Sequence, residues 1–365
     1  MSSRAALHLA LLTGTLACNG PAAETGFGSS HPGPTAPTGS TTGSGGTSSS
    51  GGDESTSTSE SSSPGTTEPA RDLGSSPDFG PGPPKGCKGK IDFLFVISRV
   101  GQMKVAQKQL LSSFPGFIDT IETMFPEFDT HILVANPEGT WSGWGCEDTG
   151  CTNEAPYCGE EGKDYVCGAT SYEQVTKCDE VLGAGLLFNA GPYATNVPCV
   201  LEGGNRYIIR EEPDVQAAFK CIASVGTYGY PPPTGDAIIA AVSQFQNLAS
   251  CNKGFLRPDA LLFITLIIDT VDKSKSYLSD WYNAIVTAKK GDPNAVIMLG
   301  ILPQYYKVGL PDCITDGDHD NRLRDLIEKF PYHAEGDMCA PSYTPAFMEA
   351  AKLIDEACAN FVVPQ

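Results

Sequence analysis

Few groups suited to catalysis or to nucleic-acid binding occur in this sequence. Only five of its 365 residues are histidine, and none stands in a His-Glu-x-x-His frame. Neither a Gly-x-Ser-x-Gly nucleophile elbow nor a phosphate-binding loop motif occurs. The 24 Lys and Arg side chains form no cluster and are outnumbered by 43 Asp and Glu, whereas contact with a phosphate backbone requires clustered positive charge. We therefore expect a protein that is not an enzyme, with no cofactor and no nucleic-acid partner.

Paired Cys-x-x-Cys motifs are also absent, which argues against a cytosolic zinc protein. The chain has 13 cysteines, an odd number, and all but Cys18 lie from Cys87 onward. Twelve cysteines suffice for six disulfides in an oxidising compartment, although spacing alone does not fix their pairing. The twelve candidates are Cys87, Cys146, Cys151, Cys158, Cys167, Cys178, Cys199, Cys221, Cys251, Cys313, Cys339 and Cys358.

The N-terminus has no apolar run of the roughly 20 residues that a membrane-spanning helix needs. Arg4 is followed by a short apolar stretch and then by small residues before Cys18. Residues 1–18 therefore resemble a signal peptide with a bacterial lipobox, in which Cys18 would carry the lipid. Thr15 departs from the lipobox pattern because leucine is usual there, so a plain cleaved signal with a chance cysteine is the alternative. Lipidation would also explain the odd cysteine.

Residues 19–86 contain almost nothing that a folded core could bury. They are rich in Ser, Thr, Gly and Pro, as in "TGSTTGSGGTSSSGGDESTSTSESSSPG". Such composition predicts a disordered tether with a reach of about 40–50 Å. The span 20–85 holds seven acidic and two basic side chains, and Arg4 precedes it. The body from Gly86 onward therefore carries −15 of the formal charge of −19.

From Cys87 to the C-terminus, short apolar runs alternate with segments of helical periodicity. This order predicts a doubly wound α/β domain at 87–365, with a mainly parallel sheet and helices on both faces. In the first predicted helix, Pro115 is expected to kink or divide the segment. The predicted strands are 91–98, 128–135, 259–269 and 294–302, and the predicted helices are 103–124, 213–225, 234–248, 278–290, 321–330 and 345–360.

Residues 136–205 interrupt this alternation. The segment shows little periodicity but contains six cysteines. A structureless loop of this length is uncommon in a compact domain unless something holds it together. We therefore expect a disulfide-rich insertion between adjacent strands.

Five segments of the body carry a family resemblance: "KIDFLFVISRVGQM", "FKCIASVGT", "GFLRPDALLFITLIIDTVDKS", "WYNAIVTAKKGDPNAVIMLGIL" and "EAAKLIDEACANFV". They resemble von Willebrand factor A-type domains, in particular those of exported lipoproteins of the myxobacterial type. The resemblance covers about residues 90–360, with 136–205 outside the shared pattern. It implies a doubly wound fold with its ligand site at the carboxyl ends of the central strands.

In that family the first turn reads Asp-x-Ser-x-Ser and its oxygens help to hold Mg²⁺ or Mn²⁺. Here the corresponding positions are Ser98, Val100 and Gln102. Ser98 offers a neutral hydroxyl, Val100 has no side-chain oxygen, and Gln102 places its oxygen on a longer arm. Hard cations require several oxygen ligands, with carboxylates supplying the charge. The resemblance therefore implies a degenerate first turn.

The second and third loops of the implied metal site are also incomplete. Pro232 stands where the family has Thr, and Thr234 lies nearby but out of register. The third loop keeps a carboxylate, Asp269, with Asp272 close behind. The preferred interpretation of Asp269 is that it ends a strand and caps the following turn. We expect no bound metal at these positions.

Alternating acids occur in "DCITDGDHDNR", at Asp316, Asp318 and Asp320. This spacing makes a weak calcium candidate, because carboxylate oxygens in a turn can wrap Ca²⁺. An EF-hand loop that started at Asp316 would need Gly and Glu where Asn321 and Ile327 stand. A solvated acidic loop is the favoured interpretation.

Two tryptophans mark the start of the insertion in "GTWSGWGCEDTGC". The spacing of Trp141 and Trp144 is similar to that in thrombospondin type 1 repeats. Those repeats also need interleaved arginines, and none lies between Gly139 and Cys199. The pair could form a small core or an exposed aromatic patch, and an exposed patch would be a candidate ligand surface.

The leading hypothesis is a lipid-anchored envelope or cell-surface protein, otherwise secreted, whose A-like domain binds an unknown protein or glycan without metal. One alternative is a structural envelope protein with no specific ligand. Another is a hydrolase whose site is assembled in space from distant residues, since a missing motif does not exclude such a site.

Overall fold

The structure is a computed structural model, and it describes residues 86–101, 103–141, 175–191, 193–227, 229–303 and 321–362. Several predictions fall outside these residues: the signal peptide with Cys18, nearly all of the tether, and the calcium candidates Asp316, Asp318 and Asp320. Gln102, Trp144, Cys146, Cys151, Cys158, Cys167 and Cys313 also lie outside them. The described residues all belong to one compact unit, 75–365.

A five-stranded parallel sheet forms the centre of the described body. Its strands are β1 (Lys90–Ile97), β2 (Asp129–Ala135), β3 (Leu261–Ile267), β4 (Val296–Leu302) and β5 (Tyr332–Asp337). They lie in the order β2-β1-β3-β4-β5, and each neighbouring pair is parallel. The predicted α/β class is confirmed. β5 was not predicted, because its sequence "YHAEGD" is neither apolar throughout nor rich in β-branched residues.

Helices cover both faces of the sheet. They are α1 (Met103–Met124), α2 (Val215–Ala223), α3 (Thr234–Val242), α4 (Gln244–Ala249), α5 (Leu278–Ala288), α6 (Asn321–Ile327) and α7 (Thr344–Asn360). Apolar side chains of α1, α2 and α7 join one core cluster, and those of α3, α5 and α6 join the other. The predicted doubly wound arrangement is therefore confirmed.

Strand β1 supplies side chains to both cores. Phe93 and Phe95 point to the face covered by α1, where the Phe93 ring meets Phe117 edge-on at 5.5 Å between centroids. Leu94 and Val96 point to the opposite face. All four are fully buried. Burial of one such side chain stabilises the fold by about 1.5–3 kcal/mol, so a strand that is apolar on both faces belongs at the centre of a sheet.

Two predicted helices differ from the observed ones. α1 runs through Pro115 without the expected division, and its apolar residues on both sides of the proline are buried in the core. The predicted helix 234–248 is interrupted at Ser243, whose extended backbone ends α3. The Ser243 hydroxyl then accepts a hydrogen bond from Gln246 N at 3.2 Å and caps α4. Serine favours such a cap because its side chain competes with the helical backbone for hydrogen bonds.

The insertion follows β2 at the edge of the sheet, so it does not connect neighbouring strands as expected: β1 lies between β2 and β3. Its described part runs along the outer edge of β2, where Gly185 forms an antiparallel bridge with Ala135. Ile208, just beyond the insertion, forms another with Ile132. These contacts cover backbone groups that an edge strand would otherwise expose.

Disulfides tie the insertion to the body. Two of the described bonds have one cysteine in the insertion and one outside it, and a third joins the start of the body to α7. These bonds are Cys178–Cys251, Cys199–Cys221 and Cys87–Cys358. Cys339 is also disulfide-bonded. The predicted disulfide bonding is confirmed for these seven cysteines, and it fits an oxidising compartment. Among the described residues, no helix is both long and apolar enough to cross a membrane.

Candidate functional site

The carboxyl ends of β1 and β3 define the candidate site, which we call the rim. The chain leaves β1 toward α1 on one face of the sheet and leaves β3 toward α5 on the other. The two connections diverge there, and ligands of doubly wound proteins bind at such a switch point. Ser98 follows β1 and Asp269 follows β3. Their side chains meet in the interior, where Ser98 Oγ donates a hydrogen bond to Asp269 Oδ1 at 2.6 Å.

This contact changes the interpretation of Asp269. The expected role was a cap on its own turn, but the bond from Ser98 joins two loops that are 171 residues apart. Ser98 Oγ also accepts a hydrogen bond from Val100 N at 3.3 Å, which shapes the first turn. Val100 contributes only backbone groups to this turn, because its side chain has no oxygen. The rim therefore brings Ser98 and Asp269 together as the family resemblance implies, while Val100 remains unable to bind a cation.

The second loop is hydrogen-bonded to the first at Gly229, whose N–H donates to Arg99 O at 2.6 Å. A side chain at Gly229 would overlap Glu138 and approach Arg99 Cβ, so this close approach requires glycine. Pro232, at the position of the family's threonine, is buried and accepts a hydrogen bond through its carbonyl from Lys273 N at 3.0 Å. The second loop therefore contacts both other loops through its backbone.

Thr234 is the first residue of α3 and is fully buried. Its hydroxyl makes no hydrogen bond to any described residue. The next residue, Gly235, donates its N–H to Asp272 Oδ1 at 3.0 Å. A carboxylate at the start of a helix is stabilised by the helix dipole, so Asp272 holds the third loop against the N-terminus of α3.

Asp272 has several internal partners. Its Oδ1 accepts from Ser274 Oγ at 2.6 Å, and Arg322 Nη2 lies 2.7 Å from its Oδ2. The Arg322 guanidinium also lies over the Trp281 ring, 5.1 Å from its centroid. Burial raises the pKa of Asp272 above its ordinary value, although these hydrogen bonds and Arg322 oppose the shift. The Asp272 carboxylate therefore stabilises the third loop.

The rim residues do not fit a hard divalent cation. Asp269 is the remaining carboxylate at an expected position, and Ser98 and Thr234 add only neutral hydroxyls. Asp272 is held by Arg322 and by donors of its own loop. Mg²⁺ gives up its water only to an octahedral site with sufficient negative charge. In the described ranges, no group of three or more His, Cys, Asp or Glu is placed to hold a metal.

The two described body histidines lie far from Ser98. His131 is in register with Asp92, which precedes Ser98 by six residues along β1. That separation corresponds to about 20 Å at the rise of a strand. His333 is in register with Met298, near the start of β4. Neither histidine lies near Ser98, and His319 lies outside the described residues.

A buried ionic cluster lies at the amino ends of the strands, opposite the rim. Asp92 is fully buried in β1, and its two oxygens accept from Arg257 Nε and Arg257 N, each at 2.7 Å. Lys289 is also fully buried and donates from Nζ to Arg257 O at 2.8 Å. Burial lowers the pKa of Lys289 to about 8. The cluster fastens the loop before β3 to β1 and to the end of α5.

His131 belongs to the same cluster. Its Nδ1 lies 2.8 Å from Phe255 O and 3.7 Å from Asp92 Oδ1, and its ring packs against Tyr207. Burial and the neighbouring Arg257 lower the pKa of His131. Burial raises the pKa of Asp92, against the attraction of Arg257. The cluster was not predicted from the sequence, although an aspartate inside an apolar strand indicates a buried partner.

The structure places Trp141 in the interior. It is 3% exposed and packs against Phe188, with 5.8 Å between the ring centroids. Its carbonyl accepts a hydrogen bond from Ala190 N at 3.0 Å. Of the two alternatives for this residue, the small core fits and the exposed patch does not. Trp144 lies outside the described residues.

The fold and the rim define a doubly wound α/β domain with a hydrogen-bonded loop cluster at its switch point. No family model matches the sequence, and no curated protein is similar enough to count as a match. Two solved structures of proximal thread matrix protein 1 from the mussel byssus are similar, with 11% and 12% identity and TM-scores of 0.33 and 0.32. The match covers 75% of this chain and 47% of the mussel protein. Similarity at this level carries no conclusion about function.

Proposed function

We propose that this chain is a lipid-anchored surface protein whose A-like domain binds a protein or glycan partner through the rim. Binding requires no metal and leads to no chemical reaction. The observation that carries the proposal is the rim itself: the three loops where the family resemblance expects the ligand site are joined by hydrogen bonds among protein groups. The loops are therefore held in place without a cation, and a preformed surface binds at a lower entropic cost.

The composition and the disulfides support the rest of the proposal. The Ser/Thr/Gly/Pro-rich tether would separate a lipid on Cys18 from the body. The described disulfides suit an exported protein. His131 and His333 lie on different strands and far from the rim, which favours binding over hydrolysis there.

The binding test uses the purified full chain and isolated envelope material from the source cells. We expect saturable binding that is unchanged by EDTA and reduced by substitutions of exposed rim residues. Loss of binding with EDTA and its return with Mg²⁺ would contradict metal independence. Absence of saturable binding would favour a structural protein without a specific ligand.

The anchoring test is separate. Cys18→Ser should move the protein from the membrane fraction to the soluble exported fraction, because the lipid is the proposed anchor. Substitution of the neighbouring Asn19→Ser is the control and should leave the protein in the membrane fraction. A Cys18→Ser protein that remains membrane-bound would exclude lipidation at this position as the anchor.

A further inference from the structure

Four exposed side chains belong to the second and third rim loops, which are joined by the hydrogen bond from Lys273 N to Pro232 O. They are Tyr230, Lys273, Lys275 and Tyr277, which we call the rim strip. Tyr230 is 60% exposed and Tyr277 is 77% exposed, and both lysines are exposed. Tyr contributes strongly where proteins bind one another, so exposed tyrosines on the same loops as exposed lysines make a candidate contact surface.

The backbone beneath the rim strip is held by hydrogen bonds. Lys273 N donates to Pro232 O at 3.0 Å, which joins the two loops. Lys275 N donates to Asp236 Oδ2 at 2.9 Å. The strip therefore has little backbone freedom to lose on binding, which favours affinity.

The carboxylates near the strip are engaged with protein donors. Asp236 accepts from Ser276 Oγ as well as from the backbone of the third loop, and these bonds, together with the nearby charge of Lys275, lower its pKa against the effect of burial. Asp280 Oδ2 accepts from Tyr277 N at 2.9 Å. Neither Lys273 nor Lys275 forms an ion pair with a described residue. The strip thus presents ammonium and phenol donors, and a fitting partner supplies negatively charged acceptors.

The spacing of the lysines favours an extended partner. Lys273 and Lys275 are two residues apart outside any helix, so their Cα atoms lie within about 7 Å of each other. Alternate side chains of an extended peptide point to one side with nearly the same repeat, about 6.6–6.8 Å. Two described cavities lie elsewhere, between α1 and α2 and between β5 and α7, and none of the four strip residues lines them.

Long-range charge does not exclude an acidic partner. The body carries −15, but at physiological salt the screening length is about 8 Å. The electrostatic energy of a partner at the strip therefore depends mainly on the charged groups closest to it. Nucleic acid would need many more cations than two lysines.

We propose that the rim strip binds an extended acidic protein segment with carboxylates at alternate positions, the lysines pairing with the carboxylates and the tyrosines packing beside them. The inference rests on the proposed binding function and names its partner class. Tyrosine enrichment at protein interfaces favours a protein segment over an acidic polysaccharide.

The test measures binding of a fluorescein-labelled dodecapeptide of alternating Asp and Thr to the full chain by anisotropy, at physiological salt. The matched probe alternates Asn and Thr and should not bind. Lys273→Gln with Lys275→Gln should weaken binding roughly 5- to 20-fold, because each exposed ion pair contributes up to a factor of about five. Tyr230→Ala with Tyr277→Ala should weaken it about tenfold or more. Thermal unfolding checks that each variant remains folded.

The control variant is Lys108→Gln with Lys220→Gln, which removes two exposed lysines of α1 and α2. It should change peptide affinity less than twofold. Equal weakening by this control, unchanged affinity in the strip variants, or no binding of the Asp-containing peptide would overturn the proposal.

A second arm replaces the peptide with polygalacturonate. If this polymer binds and the peptide does not, and if the strip substitutions weaken its binding, the partner is an acidic polysaccharide and not a protein segment. The proposal that the rim binds a ligand would still stand. Envelope binding that survives EDTA but does not depend on the strip would refute this inference only. Complete absence of envelope binding would refute the proposed function.

Discussion

Asp92 is the residue whose environment departs most from a simple apolar strand. It lies among buried side chains of β1, and Arg257 compensates its charge through two hydrogen bonds. An ionised carboxylate without such a partner is costly in the interior. The cluster around it lies at the opposite end of the strands from the rim.

Arg257→Met should lower the free energy of unfolding by about 3–5 kcal/mol, because it leaves Asp92 buried without its main partner. Urea unfolding followed by circular dichroism measures this change. The control is Lys352→Met, which removes an exposed pair with Glu349 and should cost less than about 1 kcal/mol. Equal effects of the two substitutions would contradict a special role of the buried cluster.

Lys289 should make stability depend on alkaline pH. Its pKa is about 8 in the fold and ordinarily 10.5, so between these values the unfolded state binds more protons than the folded state. This group therefore contributes a rise in stability as pH increases from about 8 to 10.5. Lys289→Met should flatten that part of the profile, measured as the difference from the parent chain. An unchanged slope would show that the ammonium is not buried as described.

At the scale of elements, the apolar runs that became β1, β3 and β4 were predictable because a strand buried on both faces has an unbroken apolar sequence. β5 was not, because it lies at the edge of the sheet, where burial is incomplete and the sequence is mixed. The break at Ser243 was also missed, since apolar periodicity continues across it.

Gly235 determines how closely α3 approaches α5. An added Cβ would overlap the Trp281 ring, so Gly235→Ala should destabilise the fold by about 2 kcal/mol or more. Gly116→Ala is the matched control within α1, where nothing lies near the added Cβ. It should stabilise by about 0.5–1 kcal/mol, because alanine is the better helix former. Thermal unfolding of both variants tests the pair, and destabilisation by both would contradict the packing at Trp281.

At the scale of the whole molecule, the Cys87–Cys358 bond closes a sequence separation of 271 residues and Cys199–Cys221 closes one of 22. A disulfide that closes a longer loop removes more conformational entropy from the unfolded chain. In the chain-entropy model, Cys87–Cys358 therefore stabilises the fold by about 2 kcal/mol more than Cys199–Cys221 does. Paired alanine substitution at Cys87 and Cys358 should therefore lower the free energy of unfolding more than substitution at Cys199 and Cys221. If both paired substitutions lower the free energy of unfolding equally, interactions in the folded state outweigh the difference in loop entropy.

Metal removal is a second test on the whole molecule. A ligand that binds only the folded state raises the free energy of unfolding by RT ln(1 + [L]/Kd). Because the rim lacks the charge to hold Mg²⁺, the melting temperature should be the same in EDTA and in millimolar Mg²⁺. A reproducible rise with Mg²⁺, abolished by Asp269→Asn, would overturn the donor analysis of the rim.

The sequence by itself determined the division into a low-complexity N-terminal part and a body, and within the body the alternation of strands and helices. These properties depend on local composition and periodicity, which can be read along the chain. It also identified Ser98 and Asp269 as rim candidates through the family resemblance.

Only the tertiary structure decided what these residues contact. Ser98 and Asp269 meet because β1 and β3 are neighbours in the sheet, although 171 residues separate them. Asp92 finds Arg257 across 165 residues, and the described disulfides join segments that no spacing rule pairs. Such contacts depend on which strands become neighbours and in what register. Strand order and register depend on how side chains pack on both faces of the sheet at once. No single segment of the sequence contains that information.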